Sequence, residues 1–205
     1  MRNSGWRWPA REEEVSALPE TKTMRTISDH ILDIAQNSVK ADATLIEIIV
    51  RENWNDDLYI VEIRDNGCGM TRETAMKALE PFFTSRTTRK VGLGLPLLRQ
   101  NAEQSGGGVT IDSVPGKGTV VTATFSHSHI DRPSMGDIAG VFLLTVIGHP
   151  LISFIYRHIT PKGEFTLSTD DLRETLGDVP VGDAAIMPAV RELILNNLEN
   201  IGASK

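Results

Sequence analysis

The chain has 205 residues, of which 40% are hydrophobic and 23% are charged, and its formal net charge is −6 at pH 7. This composition is that of an ordinary globular protein, and the length suits one domain plus a smaller appended unit. The negative net charge argues against a nucleic acid as the main partner, because binding to a phosphate backbone depends on clustered Lys and Arg.

Three further features bear on the location of the chain. A single cysteine excludes an internal disulfide and favours a reducing compartment, so we expect a cytoplasmic protein. Residues 1–23 lack the apolar run of a secretion signal, and we expect them to form a disordered tail. The most apolar stretch, residues 141–155, is shorter than the roughly 20 residues of a membrane-spanning helix, so we expect no membrane association.

The first predicted elements are a helix and a hairpin. Apolar residues recur at helical spacing over residues 27–41, and Thr26 or Ser28 is available as a cap. Two β-rich runs follow, residues 45–51 and residues 58–65, with a polar segment between them that suits a turn. This pattern predicts an antiparallel hairpin directly after the first helix.

The next predicted elements complete an α+β unit. They are a short helix over 71–79, a basic loop over 84–90, a helix over 95–104, and a second hairpin formed by 109–113 and 119–125. The order helix, hairpin, helix, loop, helix, hairpin is typical of a two-layer α/β sandwich. In such a fold, helices cover one face of a mixed, mostly antiparallel sheet.

The sequence changes character after Ser126. A polar connector is followed by a predicted helix near 134–147, a hairpin of 151–158 with 164–169, and two further helices, the last over about 185–200. We expect residues 128–205 to form a small α+β extension without catalytic residues. Its hairpin and last helix suit either docking onto the first unit or self-association, and we favour contacts with a partner protein or a homodimer.

Polar side chains share one face of the first helix. Asp33 and Asn37 are four residues apart, and His30 lies three residues before Asp33. Taken alone, this row is better explained by a solvated polar stripe than by a binding site.

An acid ends the second strand on its apolar face. Asp65 shares the two-residue period of Tyr59, Val61 and Ile63, and the sequence DNGCG then places glycines at alternate positions. A simple turn explains the glycines. It does not explain the carboxylate, which needs a hydrogen-bond partner such as the exocyclic amine of a purine.

Two more glycine-rich segments follow. GLGL at residues 92–95 opens a helix after Arg86, Arg89 and Lys90, and a helix start with nearby cations suits phosphate oxygens. Ordinary helix-start chemistry also explains this glycine pair. The sequence GKGT at residues 116–119, taken alone, is a hairpin turn.

Together and in this order, these four segments closely resemble the N box and the three glycine boxes of the GHKL superfamily. That superfamily comprises gyrase B, heat-shock chaperones, histidine kinases and mismatch-repair ATPases. The resemblance spans about residues 27–125. The segments DIAQNS, ADAT and DNGCG look like the mismatch-repair branch, whereas PFFTS, GLGL and PGKGT look more like sensor histidine kinases. The resemblance implies a Bergerat-type sandwich and an ATP-binding domain over residues 24–127.

The resemblance also implies a role for each matching residue. Asn37 would hold the Mg²⁺ that bridges the phosphates. Asp65 would accept a hydrogen bond from the adenine amine, with help from Thr119. Asp33 stands where many members carry a glutamate that orients the attacking group, and its shorter side chain leaves a general-base role open. The other residues expected to contact ATP are Gly67, Gly69, Met70, Thr84, Ser85, Arg86, Arg89, Lys90, Gly92, Leu93, Gly94 and Leu95.

The function that this pattern favours is ATP-dependent phosphotransfer to a partner protein, as in a solo histidine-kinase-like or anti-sigma-like kinase. Sensor kinases carry a dimerisation domain with a phosphoacceptor histidine before this module, and here we expect His30 to be a pocket or packing residue. Two alternatives stay open: an ATP-hydrolysing conformational switch of the mismatch-repair type, and a non-catalytic nucleotide sensor. For the pair His127 and His129, an accident at a strand end is favoured over a metal site.

Overall fold

The structure, a computed structural model, describes residues 24–80 and 93–204. None of the helices in these ranges has both the length and the apolar character that crossing a bilayer demands. The helices and strands of the described residues are, in chain order, α1 (Ile27–Lys40), β1 (Leu45–Asn53), β2 (Leu58–Asp65), α2 (Arg72–Lys77), α3 (Gly94–Gln104), β3 (Gly108–Val114), β4 (Gly118–Ser126), α4 (Ile138–Gly148), β5 (Ser153–Thr160), β6 (Gly163–Ser168), α5 (Thr169–Leu176) and α6 (Met187–Asn200).

The strands form one six-stranded sheet in the order β3-β4-β2-β1-β5-β6. Strands β1 and β5 pair in parallel, and all the other neighbours pair antiparallel. The predicted mixed, mostly antiparallel sheet is therefore confirmed. Strands β5 and β6 belong to the predicted extension, and β5 pairs with β1 of the first unit. Main-chain hydrogen bonds therefore join the extension to the first unit within one sheet.

One face of the sheet is covered by helices. Along β2 the side chains of Tyr59, Val61 and Ile63 are buried while their neighbours are more exposed, as the two-residue strand period requires. From α1, Ile31 and Ile34 pack into the same core. Full burial of one such aliphatic side chain stabilises the fold by about 1.5–3 kcal/mol, so this contact fixes α1 on the sheet.

The start of α1 is held by its own cap and by the connector before α4. The Thr26 side chain and Asp29 form a reciprocal capping box. The amides of Ile27 and Ser28 donate to the carbonyls of Ser134 and Met135, both at 2.9 Å. The connector thereby pairs with amides that have no partner inside the helix.

The helix predicted from residue 134 begins only at Ile138. Gly136 has a positive φ of 75°, which interrupts a right-handed helix, and the Asp137 side chain accepts from the Gly140 amide at 2.9 Å. Asp137 is therefore the N-cap residue of α4.

A buried carboxylate fastens the extension to the rest of the sheet at the end remote from Asp65. Oε1 of Glu52 accepts from Nε2 of His158 on β5 at 2.8 Å, and Oε2 lies 3.0 Å from Nε2 of His127. Ser204 donates to both carboxylate oxygens. Burial opposes the charge of Glu52, but the hydrogen bonds from His158, Ser204 and His127 outweigh it and hold the pKa of Glu52 well below its usual value.

Candidate functional site

Asp65 ends β2 with its carboxylate already oriented by the chain. Oδ2 accepts from the Ser38 hydroxyl at 2.7 Å, and Oδ1 accepts from the Gly67 amide at 2.9 Å. An ionised carboxylate has about four acceptor positions, so these two bonds leave capacity for an external donor. The sequence predicted that this acid needs a partner but did not identify Ser38, which is buried in the last turns of α1.

The turn after Asp65 is anchored to the loop between α1 and β1. The Asn66 side-chain oxygen accepts from the amides of Thr44 and Leu45 at 2.8 and 2.9 Å. The Cys68 amide donates to the Ala41 carbonyl at 2.8 Å. These bonds fix the backbone that carries Gly67 and Gly69, and they explain the asparagine of the DNGCG segment in structural terms.

The glycines of this region are required by close backbone packing. A Cβ at Gly67 would lie 2.6 Å from the Ala41 carbonyl oxygen. Gly69 and Gly118 have positive φ values of 64° and 102°. A Cβ at Gly69 would overlap the Val114 carbonyl, and one at Gly118 would overlap the Asp65 carbonyl. The Val114 carbonyl of β3 thus occupies the space in which a side chain at Gly69 would lie.

Ser113, which no pattern in the sequence singles out, connects the turn to β4. The Ser113 hydroxyl accepts from the Met70 amide at 2.8 Å and donates to the Gly118 carbonyl at 3.0 Å. The Ser113 and Thr119 hydroxyls also lie 2.9 Å apart and share a hydrogen bond. Thr119 also lies opposite Asp65 in the pairing of β2 with β4, as its expected role beside Asp65 requires.

The phosphate side of the candidate site joins α1 to the start of α3. Nδ2 of Asn37 lies 3.5 Å from Oδ2 of Asp33, one turn earlier on α1. A Cβ at Gly94 would overlap that same Oδ2, so the carboxylate lies against the first residue of α3. The first amides of a helix have no partner within it, and Pro96 has none to offer, which leaves Leu93, Gly94 and Leu95 as backbone donors there.

The two halves of the site meet in consecutive residues of α1. Asn37 points toward Asp33, and Ser38 bonds Asp65. Ser38, which holds the Asp65 carboxylate, and Asn37, the expected metal ligand, are therefore neighbours on α1. The predicted contacts Thr84, Ser85, Arg86, Arg89, Lys90 and Gly92 lie outside the described residues.

His30 lies beneath this arrangement rather than in it. Its ring is 2% exposed, and Nε2 lies 3.0 Å from Nδ2 of Asn101 on α3. Burial lowers the pKa of His30, and the charges of Asp29 and Asp33 only partly offset that effect. The sequence placed His30 on the correct face of α1 but gave no sign of Asn101.

The sequence of the chain matches one known protein family over about half of its length. The model of the histidine kinase-, DNA gyrase B- and HSP90-like ATPases matches residues 24–129, which is more than half of the chain. The chain belongs to this family. The matched residues include α1, β2, α3 and β4, which carry Asp33, Asn37, Asp65, Gly94 and Thr119.

Curated relatives match about half of the chain. A putative sensor protein of Shewanella frigidimarina is 34% identical over 103 residues, which are 49% of this chain and 16% of that protein. The cell-division control histidine kinase PdhS of Brucella anthropi is 32% identical over 131 residues, 56% of this chain and 12% of that protein. The chain thus spans less than a fifth of the length of these curated relatives.

Among solved structures, the Aquifex aeolicus MutL ATPase domain complexed with ADP is 16% identical to the chain. The match covers 75% of this chain and 68% of that one, with a TM-score of 0.47.

Proposed function

We propose that the chain binds Mg-ATP in the cleft between α1, the end of β2 and the start of α3, and transfers the terminal phosphoryl group to a partner protein. The observation that carries this proposal is the contact of Asp33 with Gly94. It brings an acidic side chain to the helix start that suits phosphate, and a phosphotransfer site needs both groups at the same point.

The base end of the proposed site is Asp65 with Thr119. Ser38 and Gly67 hold the carboxylate in a fixed orientation, so accepting a hydrogen bond from the adenine amine requires no rearrangement. A preorganised acceptor costs less conformational entropy on binding than a mobile one. Gly67, Gly69 and Met70 form the turn beside it, and the anchored backbone of that turn supports the same geometry.

The phosphate end fits a magnesium ion. Mg²⁺ prefers oxygen ligands and is usually bound through one or two protein groups together with substrate phosphates. The exposed Asn37 offers an amide oxygen, since its nitrogen faces Asp33. When bound, the ion would neutralise charge on the phosphates. The amides of Leu93, Gly94 and Leu95 would contact the phosphate oxygens, and Thr84, Ser85, Arg86, Arg89, Lys90 and Gly92 complete the proposed contacts.

In this proposal Asp33 orients the group that attacks the terminal phosphate. Its position one turn before Asn37 and against Gly94 supports that role. Positioning and electrostatic stabilisation supply most of the catalysis in phosphoryl transfer. In this role Asp33 accepts the proton of an incoming side chain or only aligns that side chain.

The relatives support transfer to a protein rather than hydrolysis alone, since the similar segments belong to proteins named as a sensor and as a histidine kinase. We also propose a cytoplasmic location, which the single cysteine favours. We further propose that residues 24–127 are the nucleotide-binding unit, and that the extension from residue 128 contacts the partner or a second copy of the chain.

The experiment that tests this proposal uses ATP carrying a radioactive γ-phosphate. The full chain is incubated with labelled ATP and Mg²⁺, alone and with a soluble extract of its source organism. The matched control is Asp33→Ala. We expect label on a protein, and we expect that label to be lost with the variant.

Two other outcomes contradict phosphotransfer and identify its alternatives. Release of free phosphate without any labelled protein would indicate the ATP-hydrolysing switch. Unchanged ATP in the presence of measurable ATP binding would indicate the nucleotide sensor.

A further inference from the structure

A buried hydrogen bond links the two helices that frame the phosphate end of the candidate site. His30 on α1 and Asn101 on α3 meet through Nε2 and Nδ2 at 3.0 Å. His30 is one turn before Asp33 on α1, and Asn101 is seven residues after Gly94 on α3. The link therefore joins the same two helices as the contact of Asp33 with Gly94.

The chemistry of the two groups defines the direction of this bond. An amide nitrogen can only donate, so Nε2 of His30 accepts and the ring proton of the neutral imidazole lies on Nδ1. Nδ1 forms no hydrogen bond of good geometry with any described residue, although the Gly94 backbone is close enough to His30 to raise its pKa. A buried donor with a poor partner is costly. A leucine at this place would avoid that cost but could not bond Asn101.

We propose that His30 and Asn101 are positioning residues that hold the start of α3 at the distance from α1 at which its amides and Asn37 act on the same phosphates. The inference rests on the proposed function and concerns the phosphate end alone. Asp65 is held by Ser38 and Gly67. Within the described part of the chain, neither of these residues forms a hydrogen bond with Asn101. Base recognition and phosphate recognition are thus supported by different bonds.

This separation predicts a split between ligands. Adenosine uses only the base end of the site, whereas ADP also uses the start of α3. In His30→Leu and in Asn101→Leu, the affinity for ADP in magnesium buffer should fall by about five- to tenfold, as expected from the loss of one hydrogen bond. The affinity for adenosine should stay within about twofold of the wild-type value.

Three further variants make the test specific. His30→Gln offers a carbonyl oxygen to Asn101 and should restore most of the ADP affinity. The double variant with leucine at both positions should bind ADP no more weakly than either single variant, since both remove the same bond. Gln100→Leu, at an exposed neighbour of Asn101 on α3, is the matched control and should leave both affinities unchanged.

The result can be separated from a failure of the proposed function and from simple unfolding. If the wild-type chain binds neither adenosine nor ADP, the nucleotide site itself is refuted. If the wild-type chain binds both and the leucine variants lose adenosine and ADP in equal proportion, or lose neither, the positioning role is refuted. Thermal unfolding of each variant shows whether an equal loss comes from reduced stability.

Discussion

Glu52 and Ser204 are 152 positions apart in the sequence, yet they form two hydrogen bonds. The Ser204 amide donates to Oε1 at 2.8 Å, and its hydroxyl donates to Oε2 at 2.5 Å. The side chain of Glu52 is fully buried, and a buried charge is tolerated only where it is hydrogen-bonded. The end of the chain is therefore held against the sheet at the opposite end from the candidate site.

Replacing Glu52 by glutamine should destabilise the whole chain. The neutral amide keeps the shape but weakens four charge-assisted contacts and places a donor where His127, His158 and Ser204 also donate. We expect a loss of about 2–3 kcal/mol in the free energy of unfolding, measured by urea denaturation. Glu73→Gln, in the exposed first turn of α2, is the matched control and should change this value by less than about 0.5 kcal/mol.

The same carboxylate makes stability depend on pH in acid. The pKa of Glu52 is lowered in the folded chain from an unfolded value of 4.5, so this stabilisation is complete above that value and is lost as the pH falls below it. The free energy of unfolding of the wild type should therefore fall more steeply below pH 4.5 than that of Glu52→Gln. Parallel curves for the two proteins would contradict this assignment.

Substituting alanine for Gly94 should impair the phosphate end while the fold survives. The added Cβ overlaps Oδ2 of Asp33, which is the free end of a side chain and can rotate away. Misplacement of a reacting group by about 1 Å can cost about 100-fold in rate, so we expect a loss of that order in label transfer or phosphate release. Thermal unfolding should show no decrease in stability, because alanine is preferred to glycine in a helix. Unchanged rates would show that Asp33 needs no contact with α3.

Two glycines of one hairpin turn should respond differently to alanine. Both have positive φ, so each substitution costs about 1–2 kcal/mol in backbone strain. At Gly118 the new Cβ also overlaps the Asp65 carbonyl, whereas at Gly116 it meets no atom within 4 Å. Gly118→Ala should therefore lower the free energy of unfolding by about 2 kcal/mol more than Gly116→Ala. Equal losses in urea denaturation would contradict the close packing of β2 and β4.

The fold was largely predictable because its elements obey local rules. The period of α1, the alternation along β2 and the turn residues of the three hairpins all depend on neighbours in the sequence. The parallel pairing of β1 with β5 was not predictable in this way. It joins strands about a hundred residues apart, and no local signal defines which edge of a sheet a later hairpin will join.

The residues of the candidate site likewise divide into those that a local sequence pattern indicates and those that only a tertiary contact reveals. Asp33, Asn37 and Asp65 were selected as candidates from their spacing, from the oddity of an acid on an apolar face and from the resemblance of their segments to the GHKL boxes. Ser38 and Asn101 were missed, since a serine or asparagine on a helix has many ordinary roles and only the tertiary contact shows its partner. Glu52 was missed because it ends a strand in a polar segment, where its burial depends on Ser204 at the far end of the chain.

The nucleotide site is tested most directly by calorimetric titration of the full chain with ATP and ADP in magnesium buffer, beside Asp65→Asn. We expect one site per chain. We also expect an affinity about 10- to 100-fold lower in the variant, because an amide nitrogen cannot replace the carboxylate oxygen that accepts from Ser38 or from adenine. Asp112→Asn, at an exposed position on β3, should bind as the wild type does. No heat of binding in the wild type, or equal affinity in Asp65→Asn, would contradict nucleotide binding at Asp65.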